Sequence, residues 1–169
     1  MRGNLRTLAL LLAMAFMILP LGEVHAGISP NQLADDFSLP AASGGQTISL
    51  SKQKGSPTLV VFWATWCPPC RREIPILKDL QKKYGPKGLQ VFAIALNYRE
   101  TRDAVVRFQK ENELPYTVLW DEGNAVANRY GVSGIPTVLL VDPDGFIRYR
   151  SHQVDDSLVA LLDKYTTAK

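Results

Sequence analysis

Residues 58–63 read Thr-Leu-Val-Val-Phe-Trp, an unbroken apolar run rich in β-branched and aromatic side chains. After Ala64-Thr65-Trp66 the chain continues Cys67-Pro68-Pro69-Cys70. A short run of this kind without alternation fits a strand buried on both faces. Beyond Cys70, the residues Ile74, Ile76, Leu77, Leu80 and Tyr84 are expected to face the core from a helix beginning near Pro68, since proline is tolerated in a first helical turn. Pro75 is expected to kink that helix, and Gly85-Pro86 and Gly88 to end it. A buried strand that runs into a helix, with a cysteine at the junction, constrains the fold more than any other stretch.

The remaining sequence supplies matching elements. Phe37-Ser38-Leu39-Pro40 and Thr47-Ile48-Ser49-Leu50 flank Gly44-Gly45, which suggests a β-hairpin. Lys52 to Ser56 reads as a polar connector. Leu89–Leu96, Tyr116–Trp120 and Thr137–Asp142 read as further strands. Thr101–Glu111, with Val105 and Phe108 facing in, and Ala125–Tyr130 read as helices. Pro143-Asp144-Gly145 is a turn into a strand over Phe146–Arg150. Asp155 or Asp156 caps a last helix carrying Leu158, Leu161, Leu162 and Tyr165. Parallel crossovers followed by an antiparallel hairpin imply an α/β fold, a central mixed sheet with helices on both faces.

The N-terminus reads differently. Arg2 and Arg6 precede an apolar run from Leu8 to Leu19, Pro20 and Gly22 break it, and Val24-His25-Ala26 offers a cleavage site. This is the anatomy of a secretory signal peptide over residues 1–26, with 27–169 as one mature domain. The apolar run falls short of the ~20 residues a membrane span needs, and an uncleaved anchor is the alternative. A net charge of +3, with both signs interspersed, gives no basic face for nucleic acid. The two cysteines leave none for a disulfide framework, so stability must come from an apolar core.

The chemistry therefore concentrates at Cys67 and Cys70. The free N–H groups and dipole of a helix N-terminus stabilise a thiolate at the first cysteine. That thiolate is the attacking species in disulfide exchange, and a second thiol one turn later resolves the mixed disulfide. Cys67 is thus expected to be the exposed nucleophile and Cys70 the more buried resolving thiol, with no cofactor beyond their redox-active disulfide. Half of a zinc site would need two more ligands, and only His25 and His152 are on offer, the former within the leader. A structural disulfide across so short a loop would add little stability. Trp66 is expected to shield the disulfide and offer an apolar docking surface. Trp63 and Phe62 read as core, and Arg71 and Arg72 as adding positive potential near the thiolate, the alternative for at least one of them being a solvated surface charge.

The run Phe62-Trp63-Ala64-Thr65-Trp66-Cys67-Pro68-Pro69-Cys70-Arg71-Arg72-Glu73-Ile74-Pro75 resembles the TlpA/ResA-like branch of exported thioredoxins, within the thioredoxin superfamily. Tyr130-Gly131-Val132-Ser133-Gly134-Ile135-Pro136-Thr137 and Asp142-Pro143-Asp144-Gly145 resemble a second landmark of that branch, and the segments around Phe37 and Ile48 its N-terminal hairpin. The resemblance implies a thioredoxin-like fold with a hairpin extension. It also implies that Pro136 is a cis-proline beside the disulfide, with the Ile135 backbone presented to a substrate strand. Read alone, Pro136 is an ordinary proline at a strand start. Thioredoxin itself carries a buried Asp where this chain has Val61. ResA-like proteins instead place an acidic residue three positions after the second cysteine, which Glu73 matches. On a helix those positions share a face, so Glu73 can tune the thiols, the plain alternative being a solvated glutamate.

Pro68 and Pro69 remove two backbone donors and add no cation, so Cys67 is expected to be moderately acidified and the protein a reductant. An oxidising compartment then requires an electron source. The resemblance implies a membrane thiol carrier of the DsbD/CcdA type, with clients such as apocytochromes c or copper-site proteins; the protein itself is expected to be a monomer. Thr137 stands where cytochrome-maturation relatives often carry Glu. Two rivals are a thiol peroxidase, for which no convincing P-x-x-x-T-x-x-C arrangement exists, and a copper chaperone using Cys67, Cys70 and His152.

Overall fold

A computed structural model of the protein describes residues 30–166; the leader assigned to 1–26 lies outside the described residues. Strand β3 (Thr58–Trp63) has the predicted bounds and is buried at all six positions. It is the centre of a five-stranded sheet with β4 (Gln90–Leu96), β5 (Thr117–Asp121), β6 (Thr137–Val141) and β7 (Ile147–Ser151), in the order β5-β4-β3-β6-β7. Pairing of β3 is parallel to β4 and antiparallel to β6, so Val61 lies between Ala93 and Val138.

Side chains alternate across a strand, so β3 serves two cores. Leu59, Val61 and Trp63 pack with Leu77, Val105, Leu158 and Leu162 on one face. Val60 and Phe62 pack with Phe37, Leu39, Val126 and Tyr130 on the other. The helices are α1 (Pro68–Tyr84), α2 (Arg102–Glu111), the short α3 (Ala125–Arg129) and α4 (Asp156–Thr166). Thr101 caps α2 through the Ala104 N–H. Asp155, outside α4, takes the N–H groups of Ser157 and Leu158.

One expectation about α1 is corrected. Ile74, Leu77, Leu80 and Tyr84 are buried, but Ile76 is 41% exposed. Residues two apart on a helix do not share a face, so burying Ile74 turns Ile76 outward. Pro75 lies inside the helix without ending it.

The N-terminal hairpin pairs β1 (Ser38–Pro40) with β2 (Thr47–Ser49) through a turn in which Gly44 and Gly45 have φ of 89° and 84°, open to glycine. The stretch around it touches both rims of the large sheet. Asn31 donates to Ile147, Ile147 to Gln32, and Leu33 bridges Phe146 beside β7. At the other rim, Ala41 bridges Leu119 and the Ala42 N–H donates to Val118 of β5. The Arg102 guanidinium holds this second contact by donating to the carbonyls of Ala41 and Ala42.

Candidate active site

The parallel strands β3 and β4 end side by side, and the loops that follow them meet there. Ligand-handling residues collect at such carboxyl ends in open α/β sheets. Cys67 is the N-cap of α1, with an extended backbone, and its Sγ accepts the Cys70 N–H at 3.2 Å. Pro68 and Pro69 fill the first two helical positions, where an N–H would lack a helical partner in any case. One first-turn N–H is therefore aimed at the Cys67 sulfur.

Cys67 and Cys70 form a disulfide, with Cα atoms 5.3 Å apart. Both are 3% exposed, so the expected contrast between an exposed first cysteine and a buried second one is absent in this oxidised state. Cys67 is covered from outside its own helix: the Ile135 carbonyl lies 3.7 Å from its Sγ. The Ile135–Pro136 peptide bond is cis, as the resemblance implied. The Thr137 hydroxyl closes this loop by donating to the Gly134 carbonyl at 2.7 Å.

Trp66 stands beside the disulfide and is 42% exposed. Its indole N–H donates to the Tyr98 carbonyl at 2.8 Å, and the two rings lie 5.9 Å apart. Arg99 stacks over Tyr98, so Trp66, Tyr98 and Arg99 form an aromatic and cationic shelf. Trp120 is not part of that shelf: it is buried and donates to Glu122. Trp63 and Phe62 are core residues. Arg71 leans over the Phe108 ring.

Glu73 occupies the face of α1 that Cys70 shares. Its Oε2 accepts the Val154 N–H at 3.3 Å. Together with Cys70, Val61, Trp63, Tyr116 and Pro136 it lines a cavity of about 10 Å³, in which it is the one carboxylate. Burial pushes its carboxyl above the ordinary range, with the Val154 N–H and the Arg72 charge pulling back. The Trp63 indole N–H is buried beside the same cavity without a partner.

Two contributors escaped the sequence reading. Glu100 accepts the Thr65 N–H at 3.1 Å, and also its hydroxyl, which ties the strand end to the loop after β4. Burial raises the Glu100 carboxyl while both Thr65 bonds lower it. The adjacent ends of two parallel strands were the available signal. His152, named from the sequence only as a possible metal ligand, places Nδ1 2.8 Å from the Pro136 carbonyl.

Among the described residues no group of three His, Cys, Asp or Glu side chains could hold a metal ion, and no helix is long and apolar enough to cross a membrane. A cavity of about 290 Å³ opens at the opposite end of the strands, beside Thr58 and Val141, and shares no residue with the cysteine site.

Residues 30–150 match the AhpC/TSA family. The thiol-disulfide oxidoreductase ResA of Bacillus thuringiensis subsp. konkukian is 37% identical over 140 residues, spanning 82% of this chain and 76% of that protein. The thioredoxin-like protein YneN of Bacillus subtilis is 40% identical over 125 residues, 73% of this chain and 72% of YneN. Among solved structures, a thiol:disulfide interchange protein of the thioredoxin family from Chlorobium tepidum TLS matches with a TM-score of 0.69 at 29% identity, across 83% of this chain and 99% of that one.

Proposed function

The chain belongs to the AhpC/TSA family, as a thiol-disulfide oxidoreductase of the ResA/thioredoxin type, and on that premise we propose that it is exported and reduces disulfides of client proteins. Its fold is thioredoxin-like, the mixed sheet carrying the expected hairpin extension. The reduced form would present Cys67 as thiolate, stabilised by the Cys70 N–H and the helix N-terminus. Attack on a client disulfide forms a Cys67–client bond and releases one client thiolate. Cys70 then passes its proton to Glu73 and attacks the Cys67 sulfur, which releases the second client thiolate and leaves the Cys67–Cys70 disulfide. The client gains two electrons and the protein loses two, so a dithiol donor must restore it. A membrane carrier of the DsbD/CcdA type fits that need, and apocytochromes c or copper-site proteins fit the client role. The leader sequence over 1–26 supports export.

The observation that carries the direction of electron flow is the pair Pro68 and Pro69 at the helix start, which leaves the Cys70 N–H as the donor to the Cys67 sulfur. A weakly stabilised thiolate favours the disulfide and hence a reducing couple. Equilibration with glutathione is expected to give a potential close to that of thioredoxin, roughly −270 mV. A value near −120 mV, that of a strong oxidant, would overturn the assignment.

The family match raises a second reading, peroxide reduction at Cys67. Relative to Cys67, the proline and threonine of P-x-x-x-T-x-x-C would fall at 60 and 64, and this chain has Val60 and Ala64 there. Peroxide consumption no faster than that of a free thiol is the expected result. No observation favours the copper reading: among the described residues Cys67, Cys70 and His152 do not gather into a group that could hold a metal ion.

A further inference from the structure

The connection between β7 and α4 touches both halves of the disulfide site. At its start, His152 Nδ1 lies 2.8 Å from the carbonyl oxygen of Pro136. A carbonyl can only accept, so Nδ1 carries the hydrogen and the ring donates, as the neutral Nδ1–H tautomer or the imidazolium. The ring also lies against the loop, since a Cβ added at Gly134 would meet its Cε1 at 3.7 Å. Two residues later the Val154 N–H donates to Glu73. The segment between is itself held, because the Tyr149 hydroxyl donates to the Gln153 carbonyl at 2.6 Å and Asp155 caps α4.

We propose that His152 is a positioning residue for the exchange reaction: it fixes the Gly134–Pro136 loop against Cys67, so that the loop's free backbone meets an incoming client strand in register with the sulfur. The loop has two ties, Thr137 to Gly134 from within and His152 to Pro136 from the neighbouring strand's end. Beyond the approach of the Ile135 carbonyl to Cys67, the second tie joins the loop to the connector that anchors the Glu73 carboxylate. His152 makes no contact with the sulfurs and acts through the loop. The inference rests on reading this loop as the surface that takes the client strand.

The test compares His152→Leu, His152→Asn and Pro136→Ala with the unaltered protein. The substrate is a synthetic peptide bearing one intramolecular disulfide, with turnover driven by a dithiol. An asparagine amide can donate from the place of Nδ1, and leucine cannot. His152→Leu is expected to raise KM about fivefold, the size of one lost hydrogen bond, with kcat nearly kept. Alkylation of reduced Cys67 by iodoacetamide should stay at the original rate, and His152→Asn should restore KM to within about twofold. Slowing of alkylation by the same factor would show general damage and overturn the proposal, as would an asparagine variant no better than leucine. An unchanged KM in His152→Leu beside a raised one in Pro136→Ala overturns the role of His152 alone. An unchanged KM in both removes the loop reading with it.

Discussion

Cys70→Ala is expected to stop turnover at the mixed disulfide, lowering the steady-state rate by about 10³-fold or more while Cys67 still reacts. Resolution is intramolecular, and a thiol held beside its target acts at an effective concentration far above the millimolar thiols of solution. In the oxidised protein the two sulfurs are bonded across one helical turn, so the resolving thiol has little distance to cover. Without it the Cys67–client bond waits for an external thiol. Non-reducing electrophoresis of cell extracts should show covalent adducts that vanish on reduction, and their identification would name the clients. Absence of adducts in Cys70→Ala, with Cys67 alkylating normally, would contradict the assignment of Cys67 as nucleophile.

Glu73→Gln is expected to slow the resolving step about 100-fold, the lower range for loss of a general base. Burial raises the Glu73 carboxyl, and the unaltered protein should lose resolving activity as pH falls through that raised value. The glutamine variant should lack that limb. Stability gives an independent sign. A carboxyl raised in the folded state binds its proton more tightly folded than unfolded. Its stabilising contribution is present below the unfolded value and lost as pH rises through the folded one. At neutral pH the unaltered protein therefore carries a disfavoured charge, and Glu73→Gln should unfold no more easily in denaturant. Glutamine can still accept the Val154 N–H. A variant that exchanged at the original rate with the original pH profile would end the base assignment, and one that lost stability at neutral pH would make Glu73 a structural anchor.

How much of this could be read beforehand depended on the range of the interactions. Strand β3 and the start of α1 follow from local composition and proline stereochemistry, and their predicted bounds match the structure. The side of α1 that carries Ile74 and Leu77 was legible too, and Ile76 was misplaced although its spacing from Ile74 argued against a shared face. The burial of Cys67 was not legible, because its cover is the Ile135 carbonyl, 68 residues away. His152 was hidden for a similar reason. Val138 pairs with Ser151 across β6 and β7, which brings the next residue level with the start of β6, but a shift in register between Leu140 and Val141 had to be known first. Glu100 lies beyond the last paired residues of β3 and β4, where pairing gives its position and periodicity gives nothing.

The contacts of residues 31–42 with the two outer strands have a consequence for the company this protein keeps. An open sheet rim is a template on which extended segments of other chains pair indiscriminately. Here part of each rim is already occupied, by Asn31 to Leu33 beside β7 and by Ala41 and Ala42 beside β5. Less backbone is thereby left open along the sides of the sheet for a foreign strand to pair with. The N-terminal extension thus works as an edge guard, narrowing the pairing through which sheets join into aggregates.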